Sequence, residues 1–318
     1  MDPLPEGVLE IESVLGERRL HQYVLHDERC LLVDTGCADT PEAVILPSLS
    51  QHGIQAHDLD YVLVTHADVD HYGGDAAMRR AAPRAVLMAH ALDVPLIESK
   101  ALILRERYGW YTAHGLGYPD ETFRWLDASA GEDTPVDLML QGGEVLRLGP
   151  ARPVRIVHLP GHSAGHLGVY DARNGVMIVS DAVMGAGLVD LNGRLISPPP
   201  YFSVDAYRRA IARIRAHRPR TLLTGHYPAM TGDAVVRFLD DSEQFVDTLE
   251  RSLTRTLQAA TAPLTLQHLT LALAEELGPF TAMANELAGP VRAHLDDLSA
   301  RGLALRTWGA RGEGWTFA

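Results

Sequence analysis

Four possible metal ligands lie within six residues in the stretch Thr65-His66-Ala67-Asp68-Val69-Asp70-His71-Tyr72-Gly73-Gly74. The preceding residues, 59–64, form an apolar run rich in valine and leucine, which is typical of a buried strand. Imidazole and carboxylate groups are side chains that bind zinc, iron and manganese in proteins. The segment therefore predicts a metal-binding turn at the carboxyl end of a strand.

Three further strand-like runs lead to a possible ligand. Residues 154–159 precede His162, residues 176–180 precede Asp181, and residues 220–224 precede His226. A single buried histidine or aspartate is usually a hydrogen-bonding residue. Strand ends are rigid, however, and neighbouring strands place their ends side by side, so four such sites are expected to converge. Two metal ions need a bridging carboxylate and further ligands on each ion, and this set is large enough for both.

Composition excludes several classes of partner. The net charge of −13 argues against nucleic acid or an anionic membrane surface, since both require a basic footprint. Cys30 and Cys37 lack the spacing of a disulfide framework or a thiolate zinc site. Residues 1–16 show no signal-peptide core, and no apolar run is long enough for a membrane span. We therefore expect a cytoplasmic protein without a membrane partner.

Alternating strand-like and helical segments indicate a mixed α/β (α+β) fold. Residues 92–134 interrupt the strands with an aromatic-rich insertion that holds six of the 20 aromatic residues. We expect it to form either a lid or wall of an apolar acyl-binding pocket, or an ordinary packing or subunit contact that permits a homodimer.

The last part of the chain is predicted to form a separate unit. Helical patterns at 241–260, 265–277 and 283–300 precede a hairpin at 302–318, which is the outline of a small winged-helix-like domain. From Arg251 onward the sequence contains six arginines and six acidic residues, which is too little net positive charge for a phosphate-binding surface. We therefore predict a catalytic domain at 1–240 and a C-terminal domain at 241–318 with a structural or pocket-closing role.

Together these motifs resemble those of the metallo-β-lactamase superfamily over roughly residues 8–240. The matching motifs are Leu32-Val33-Asp34-Thr35-Gly36, the stretch from Thr65 to Gly74, Pro160-Gly161-His162-Ser163-Ala164-Gly165-His166, Ser180-Asp181 and Thr224-Gly225-His226. The resemblance implies an αββα sandwich with two divalent metal ions at one edge. His66, Asp68 and His162 would hold the first ion, and Asp70, His71 and His226 the second, with Asp181 between them. Asp34 would organise the ligand loops, and His166 would be structural.

Asp68 departs from the superfamily pattern, which has histidine at this position. The extra carboxylate makes the ligand set more negative, so hydroxide should form less readily, and a hard oxygen donor favours iron or manganese over zinc. A carboxylate here is similar to the glutamate of diiron branches such as the flavodiiron proteins. Alternatively, Asp68 only stabilises the turn and the first ion is weakly held.

The resemblance implies hydrolysis of an ester, thioester or lactone, in which a metal-bridging hydroxide attacks a small-molecule acyl substrate. If the insertion forms the pocket, we expect the acyl group of that substrate to be apolar or aromatic. Asp70 would orient the hydroxide, and Tyr72 or Tyr227, each beside a ligand histidine, would donate to the oxyanion. Alternatives are a diiron oxidative enzyme of the same fold, a nuclease, and a non-catalytic metal-sensing regulator with a winged helix. The acidic composition disfavours the nuclease.

Overall fold

The structure is a computed structural model that describes residues 4–309 and 312–318. Its first sheet has six strands in the order β1-β2-β3-β4-β5-β6. They span Val8–Leu15 (β1), Arg18–His26 (β2), Cys30–Val33 (β3), Leu59–Leu63 (β4), Val86–His90 (β5) and Leu138–Leu140 (β6). Strands β1 to β3 pair antiparallel and β3 to β6 pair parallel. The predicted strand before His66 is therefore β4, inside this sheet.

The second sheet also has six strands, in the order β14-β13-β10-β9-β8-β7. They span Val145–Gly149 (β7), Arg152–His158 (β8), Leu167–Asp171 (β9), Val176–Ile178 (β10), Thr221–Leu223 (β13) and Met230–Thr231 (β14). Only β10 and β13 pair in parallel; the other neighbours are antiparallel. A separate two-stranded hairpin is formed by Leu188–Val189 (β11) and Leu195–Ser197 (β12).

The two sheets pack face to face. Successive side chains of a strand point to opposite sides of the sheet, so each strand contributes to an apolar layer between the sheets and to another on the outer face. In β3, Leu31 and Val33 join the apolar cluster between the sheets, whereas Leu32 joins the cluster on the outer face. In β10, Ile178 faces the other sheet and Met177 faces outward. Both sheets are thus apolar on two faces, and each outer face requires a covering layer.

Helices cover both outer faces. The helices near the first sheet are Leu46–Gln51 (α1), Val69–Tyr72 (α2) and Asp75–Ala81 (α3), and those on the second are Val204–His217 (α7) and Asp233–Ala259 (α8). Leu49 and Met78 pack in the cluster of the first sheet, and Ile211 and Leu239 in that of the second. This layering confirms the predicted αββα sandwich.

The aromatic-rich segment 92–134 folds as short helical pieces. They are Val94–Ile97 (α4), Lys100–Ile103 (α5), a π-helical turn Leu104–Tyr108, a 3₁₀ turn Gly109–His114 and Asp120–Ser129 (α6). Leu126 of α6 and Tyr108 belong to the apolar cluster of the first sheet. The insertion is therefore packed onto the sandwich over part of its surface.

Helix α8 leads from the sandwich into two further helices and a hairpin, in the predicted order. Helix α8 is followed by Leu266–Leu277 (α9), Ala284–Ala300 (α10), and the antiparallel strands Ala304–Gly309 (β15) and Gly312–Phe317 (β16). Residues 310 and 311 of the predicted hairpin lie outside the described residues. Residue 240 falls inside α8, so the division at 240 and the winged-helix assignment remain predictions. Within the described chain, no helix has the length and apolar character needed to cross a bilayer.

A buried ion pair links the second sheet to the first. The side chains of Arg152 and Asp171 are 2% and 0% exposed. The Arg152 Nε and Nη2 atoms donate to one Asp171 oxygen at 3.0 and 2.8 Å. Its Nη1 atom donates to the carbonyl oxygens of Gly7 and His26 at 2.9 and 2.6 Å. Because His26 is the last residue of β2, this guanidinium joins β8 and β9 to the end of an inner strand of the other sheet.

Replacing this arginine should be costly. Arg152→Met leaves the Asp171 carboxylate buried without its cation, and we expect the free energy of unfolding to fall by about 3–5 kcal/mol. Urea denaturation followed by circular dichroism measures the change. Arg80→Met is the matched control, because the Arg80–Glu132 ion pair is 58% and 75% exposed. That variant should lose less than about 1 kcal/mol. An equally small loss for Arg152→Met would contradict the assignment.

Candidate metal centre

The predicted ligands lie on loops that follow strands of both sheets. Strand β4 leads into His66, β8 into His162, β10 into Asp181 and β13 into His226. Strands β10 and β13 are parallel neighbours, so their carboxyl ends, and the loops after them, share one edge of the sheet. The strand ends therefore deliver ligands that are distant in sequence to one edge of the sandwich.

All seven predicted ligand side chains are buried and come together there. They form three overlapping groups, within each of which one potential ligand atom per residue lies within 4.8 Å of the others. The groups are His66 with Asp68 and His162, Asp70 with His71 and His226, and His66 with His71 and Asp181. Because the third group shares one histidine with each of the others, Asp181 lies between the first two.

Each of the four histidines is held through its Nδ1 atom. The partners are the Thr65 hydroxyl for His66 (3.0 Å), the Asp34 carboxylate for His71 (2.9 Å), the Pro200 carbonyl for His162 (2.8 Å) and the Arg19 carbonyl for His226 (2.7 Å). An acceptor at Nδ1 keeps the proton there and leaves the Nε2 lone pair available. All four rings are therefore oriented as metal ligands would be.

Several buried polar atoms in this cluster have no hydrogen-bond partner among the described residues. They include the Nε2 atoms of His66 and His71 and the Oδ1 atom of Asp181. A buried polar atom without a partner costs free energy, and native proteins rarely leave several together. Nitrogen and carboxylate oxygen donors in this number fit divalent ions such as zinc, iron or manganese. The residues present thus suit the metal ions that the sequence predicted.

Asp34 ties the ligand loops to one another. Its carboxylate accepts hydrogen bonds from the Thr65 amide (2.7 Å), the Thr65 hydroxyl (2.9 Å), His71 Nδ1 (2.9 Å) and the Ser180 hydroxyl (3.0 Å). Asp34 and Ser180 have φ values of 65° and 44°, in the left-handed region that residues other than glycine rarely adopt. Backbone strain of this kind persists only where surrounding contacts enforce it, often at functional sites.

Gly225 leaves room for the centre. A Cβ atom at this position would lie 2.3 Å from Asp181 Oδ1 and 2.9 Å from His71 Cε1. Any side chain would therefore displace two of the proposed ligands. This explains why glycine directly precedes His226.

The carboxyl groups of the centre are held in the ionised form. Burial alone would raise the pKa of Asp181, but His226 and His71 hold it well below its usual value. Burial likewise opposes ionisation of Asp68, and the Arg107 guanidinium and His162 keep the pKa of its carboxyl well below normal. His166 has its pKa well below normal because of burial and the adjacent His66 and His162. It stacks on His66 at 4.7 Å and is in none of the three groups.

Asp68 has partners in the insertion that the sequence analysis missed. Arg107 Nε lies 3.0 Å from Asp68 Oδ1, and Arg107 Nη2 lies 3.2 Å from Asp68 Oδ2. The hydroxyl of Tyr108 donates to Asp68 Oδ1 at 3.1 Å. A buried carboxylate in place of the expected histidine needs a cationic partner. Asp68 itself was therefore the only indication in the sequence that a residue such as Arg107 would be found here.

The two predicted catalytic tyrosines lie away from the cavity at the centre. The Tyr72 hydroxyl is buried without a partner in the part of the chain described. The Tyr227 hydroxyl is bonded to the Gly187 carbonyl. Neither residue lines the cavity, whereas Asp70 does. A role for the two hydroxyls at the oxyanion remains a prediction.

A cavity of about 100 Å³ opens beside the predicted ligands. The insertion supplies Arg107, Tyr108, Tyr118, Thr122, Trp125 and Leu126 to its wall, and α10 and the turn before it supply Glu286 and Met283. Arg18 lies at the same cavity, with its Nη2 atom 3.9 Å from Asp70 Oδ2. The insertion and the C-terminal segment therefore both shape the space in which a substrate would bind.

Two curated hydrolases resemble this chain. A hydroxyacylglutathione hydrolase of Cereibacter sphaeroides is 26% identical over 220 residues, which are 69% of this chain and 66% of that protein. The chain thus spans about two thirds of the length of that relative. The acyl-coenzyme A thioesterase MBLAC2 of Homo sapiens is 24% identical over 262 residues, covering 74% of this chain and 83% of that protein. Both names agree with the sequence prediction of a hydrolase.

Solved structures share the fold over nearly the whole chain. A metallo-beta-lactamase family protein of Thermus thermophilus has a TM-score of 0.75 at 19% identity, covering 99% of each chain. A beta-lactamase domain protein of Burkholderia ambifaria has a TM-score of 0.74 at 20% identity, covering 100% of this chain and 96% of that one. The model of the metallo-beta-lactamase superfamily matches residues 16–226, more than half of the chain and all seven predicted ligands. This chain belongs to the metallo-β-lactamase superfamily.

Proposed function

We propose that this chain is a thioester hydrolase that works with two divalent metal ions. The observation that carries the proposal is the three overlapping groups of buried histidines and aspartates. In them the Nε2 atoms of His66 and His71 and one Asp181 oxygen have no hydrogen-bond partner among the described residues. His66, Asp68 and His162 would hold one ion, Asp70, His71 and His226 the other, and Asp181 would contact both. Such ions, when bound, polarise a carbonyl oxygen and lower the pKa of water so that it attacks at neutral pH.

The cavity lining favours a leaving group that departs without a strong general acid. His162 and His226 belong to the ligand groups, the Tyr108 hydroxyl donates to Asp68, and the Tyr118 hydroxyl donates to Glu286. These groups are therefore committed to other contacts. A thiol has a pKa near 8.5 and leaves readily as thiolate, unlike an amine or an alkoxide. This supports a thioester over an ester or lactone, and the two curated relatives are also named for thioester substrates.

Asp70 has the position to orient the attacking water. Its carboxylate lines the cavity, and its Oδ2 atom lies 3.6 Å from His226 Nε2. Burial opposes its ionisation, but His71, Arg18 and His226 lower the pKa of Asp70 below its usual value. An ionised carboxylate at this point can accept a hydrogen bond from water beside the substrate carbonyl.

Asp68 keeps one alternative open, a diiron oxidative enzyme of the same fold. Its Oδ2 atom lies 3.1 Å from His162 Nε2 and 3.7 Å from His66 Nε2, so a second carboxylate is available to a hard metal ion. Metal analysis of protein purified without added zinc, combined with oxygen consumption in the presence of a reductant, tests this. Iron with oxygen consumption and no thioesterase activity would favour the alternative.

His66→Ala should lower thioester hydrolysis by more than about 100-fold, because His66 belongs to two of the three groups. Hydrolysis of acylglutathione and acyl-coenzyme A thioesters, followed by released thiol, measures the change. Metal content is determined on the same samples. His57→Ala is the matched control, since the His57 side chain is 67% exposed. Full activity of folded His66→Ala would rule out the proposed centre.

Asp34→Asn should weaken metal binding by about 10–100-fold. Asparagine has almost the same shape and tolerates positive φ, but it has only one acceptor atom. Its NH2 group would therefore face either the Thr65 amide or the two donors His71 Nδ1 and the Ser180 hydroxyl. Titration of the metal-free protein against a chelator of known affinity measures the loss. Asp39→Asn, five residues away and exposed, should bind metal as the native protein does. Equal affinities for both variants would show that Asp34 does not organise the ligands.

A further inference from the structure

The ion pair between Asp68 and Arg107 joins the candidate metal centre to the insertion. Arg107 lies in the π-helical turn Leu104–Tyr108, and its guanidinium contacts both carboxylate oxygens of Asp68, at 3.0 and 3.2 Å. The two side chains are 12% and 13% exposed. In this shielded position the attraction between the charges is stronger than it would be at the surface.

Arg107 is committed to this contact and is poorly placed to bind a substrate anion. Its Nη1 atom donates to the Tyr111 hydroxyl at 2.9 Å. Its guanidinium also lies 4.8 Å from the centre of the Phe202 ring and 5.2 Å from that of Tyr108. These contacts on several sides fix the orientation of the planar guanidinium group. Its two parallel N–H donors match the two oxygens of a carboxylate, which a lysine ammonium group cannot do.

The two oxygens of Asp68 have different surroundings. Oδ2 is the oxygen near the imidazoles, 3.1 Å from His162 Nε2 and 3.7 Å from His66 Nε2. Oδ1 accepts from the Tyr108 hydroxyl at 3.1 Å and faces Arg107 Nε. Both oxygens therefore contact Arg107 of the insertion, but only Oδ2 also lies beside the histidines of the ligand group.

We propose that Arg107 is a positioning residue that directs Asp68 Oδ2 to the metal centre and cancels the charge of its carboxylate. The Asp68–Arg107 pair then has the net charge of the neutral histidine that the superfamily pattern places at position 68. Three carboxylates with one guanidinium have the same total charge as two carboxylates. The Lewis acidity that the extra carboxylate alone would reduce is thereby maintained. The inference rests on the metal-binding part of the proposed function and not on the substrate.

The test compares two variants that restore histidine at position 68. In Asp68→His, the Arg107 cation lies unbalanced beside the metal ions. In Asp68→His/Arg107→Met, that cation is removed. We expect the double variant to bind zinc at least tenfold more tightly than Asp68→His, in competition with a chelator. Affinities equal within twofold would overturn the proposal.

Two further variants separate charge from shape. Asp68→His/Arg107→Lys retains a cation and should bind zinc as weakly as Asp68→His. Asp68→His/Arg105→Met removes an arginine whose side chain is 68% exposed and should also remain weak. If Asp68→His/Arg107→Lys bound zinc as tightly as Asp68→His/Arg107→Met, the size of the side chain and not its charge would explain the gain in affinity. That result would overturn the proposal.

Cobalt(II) spectra give a readout that needs no substrate and remains available if Asp68→His fails to fold. In Arg107→Met, the native Asp68 loses its guanidinium partner, so the d–d bands of the cobalt-loaded protein should shift relative to native protein and to Arg105→Met. Unchanged bands would overturn the positioning role. If the native protein binds neither zinc nor cobalt, the proposed metal centre itself fails. Metal binding without thioesterase activity removes only the proposed substrate.

Discussion

Four hydrogen bonds to the carboxylate of Asp34 hold together loops from both sheets. Thr65 donates twice from the loop after β4, Ser180 donates from the loop after β10, and His71 donates from α2. Asp34 itself follows β3 with φ of 65°. Among the hydrogen bonds of the described chain, no other single side chain contacts all three of these donor residues. Loss of the Asp34 carboxylate would therefore leave the three loops without a shared hydrogen-bond acceptor.

The centre is stable only as a balance of charges. Asp68, Asp70 and Asp181 are buried, one in each of the three overlapping groups, and isolated carboxylates in such a place are costly. Arg107 offsets part of that negative charge from the insertion, and Arg18 lies close to Asp70 from the β1–β2 hairpin. Divalent ions would offset the rest. Folding of the catalytic edge and binding of metal are therefore expected to be linked, as in other proteins whose ligands are buried and charged.

The convergence of the predicted ligands could be foreseen from sequence because they follow apolar strand-like runs, and strand order brings such ends together. Arg107 could not, since it lies in an irregular helical turn 39 residues beyond Asp68 and nothing periodic marks it. The role of Tyr72 stays a prediction. Successive side chains on a helix such as α2 diverge by about 100°, so Tyr72 and its neighbour His71 point in different directions. The domain division at 240 stays a prediction, and α8 continues through the change in composition on which it was based.

The rigid edge of the sandwich and the walls of the cavity are built from different parts of the chain. The edge supplies the predicted ligands and is set by strand ends, whereas the walls come from the insertion, from residues 184–200 and from the segment around α10. The insertion and α10 are joined, because the hydroxyls of Tyr118 and Tyr111 both donate to Glu286. Substitutions in the walls can therefore change the shape of the cavity without moving a predicted ligand. Arg107 is the exception, since it belongs to a wall by position and to the centre by its contact with Asp68. A change in the insertion that moved Arg107 would alter the cavity wall and the charge at the candidate metal centre at the same time.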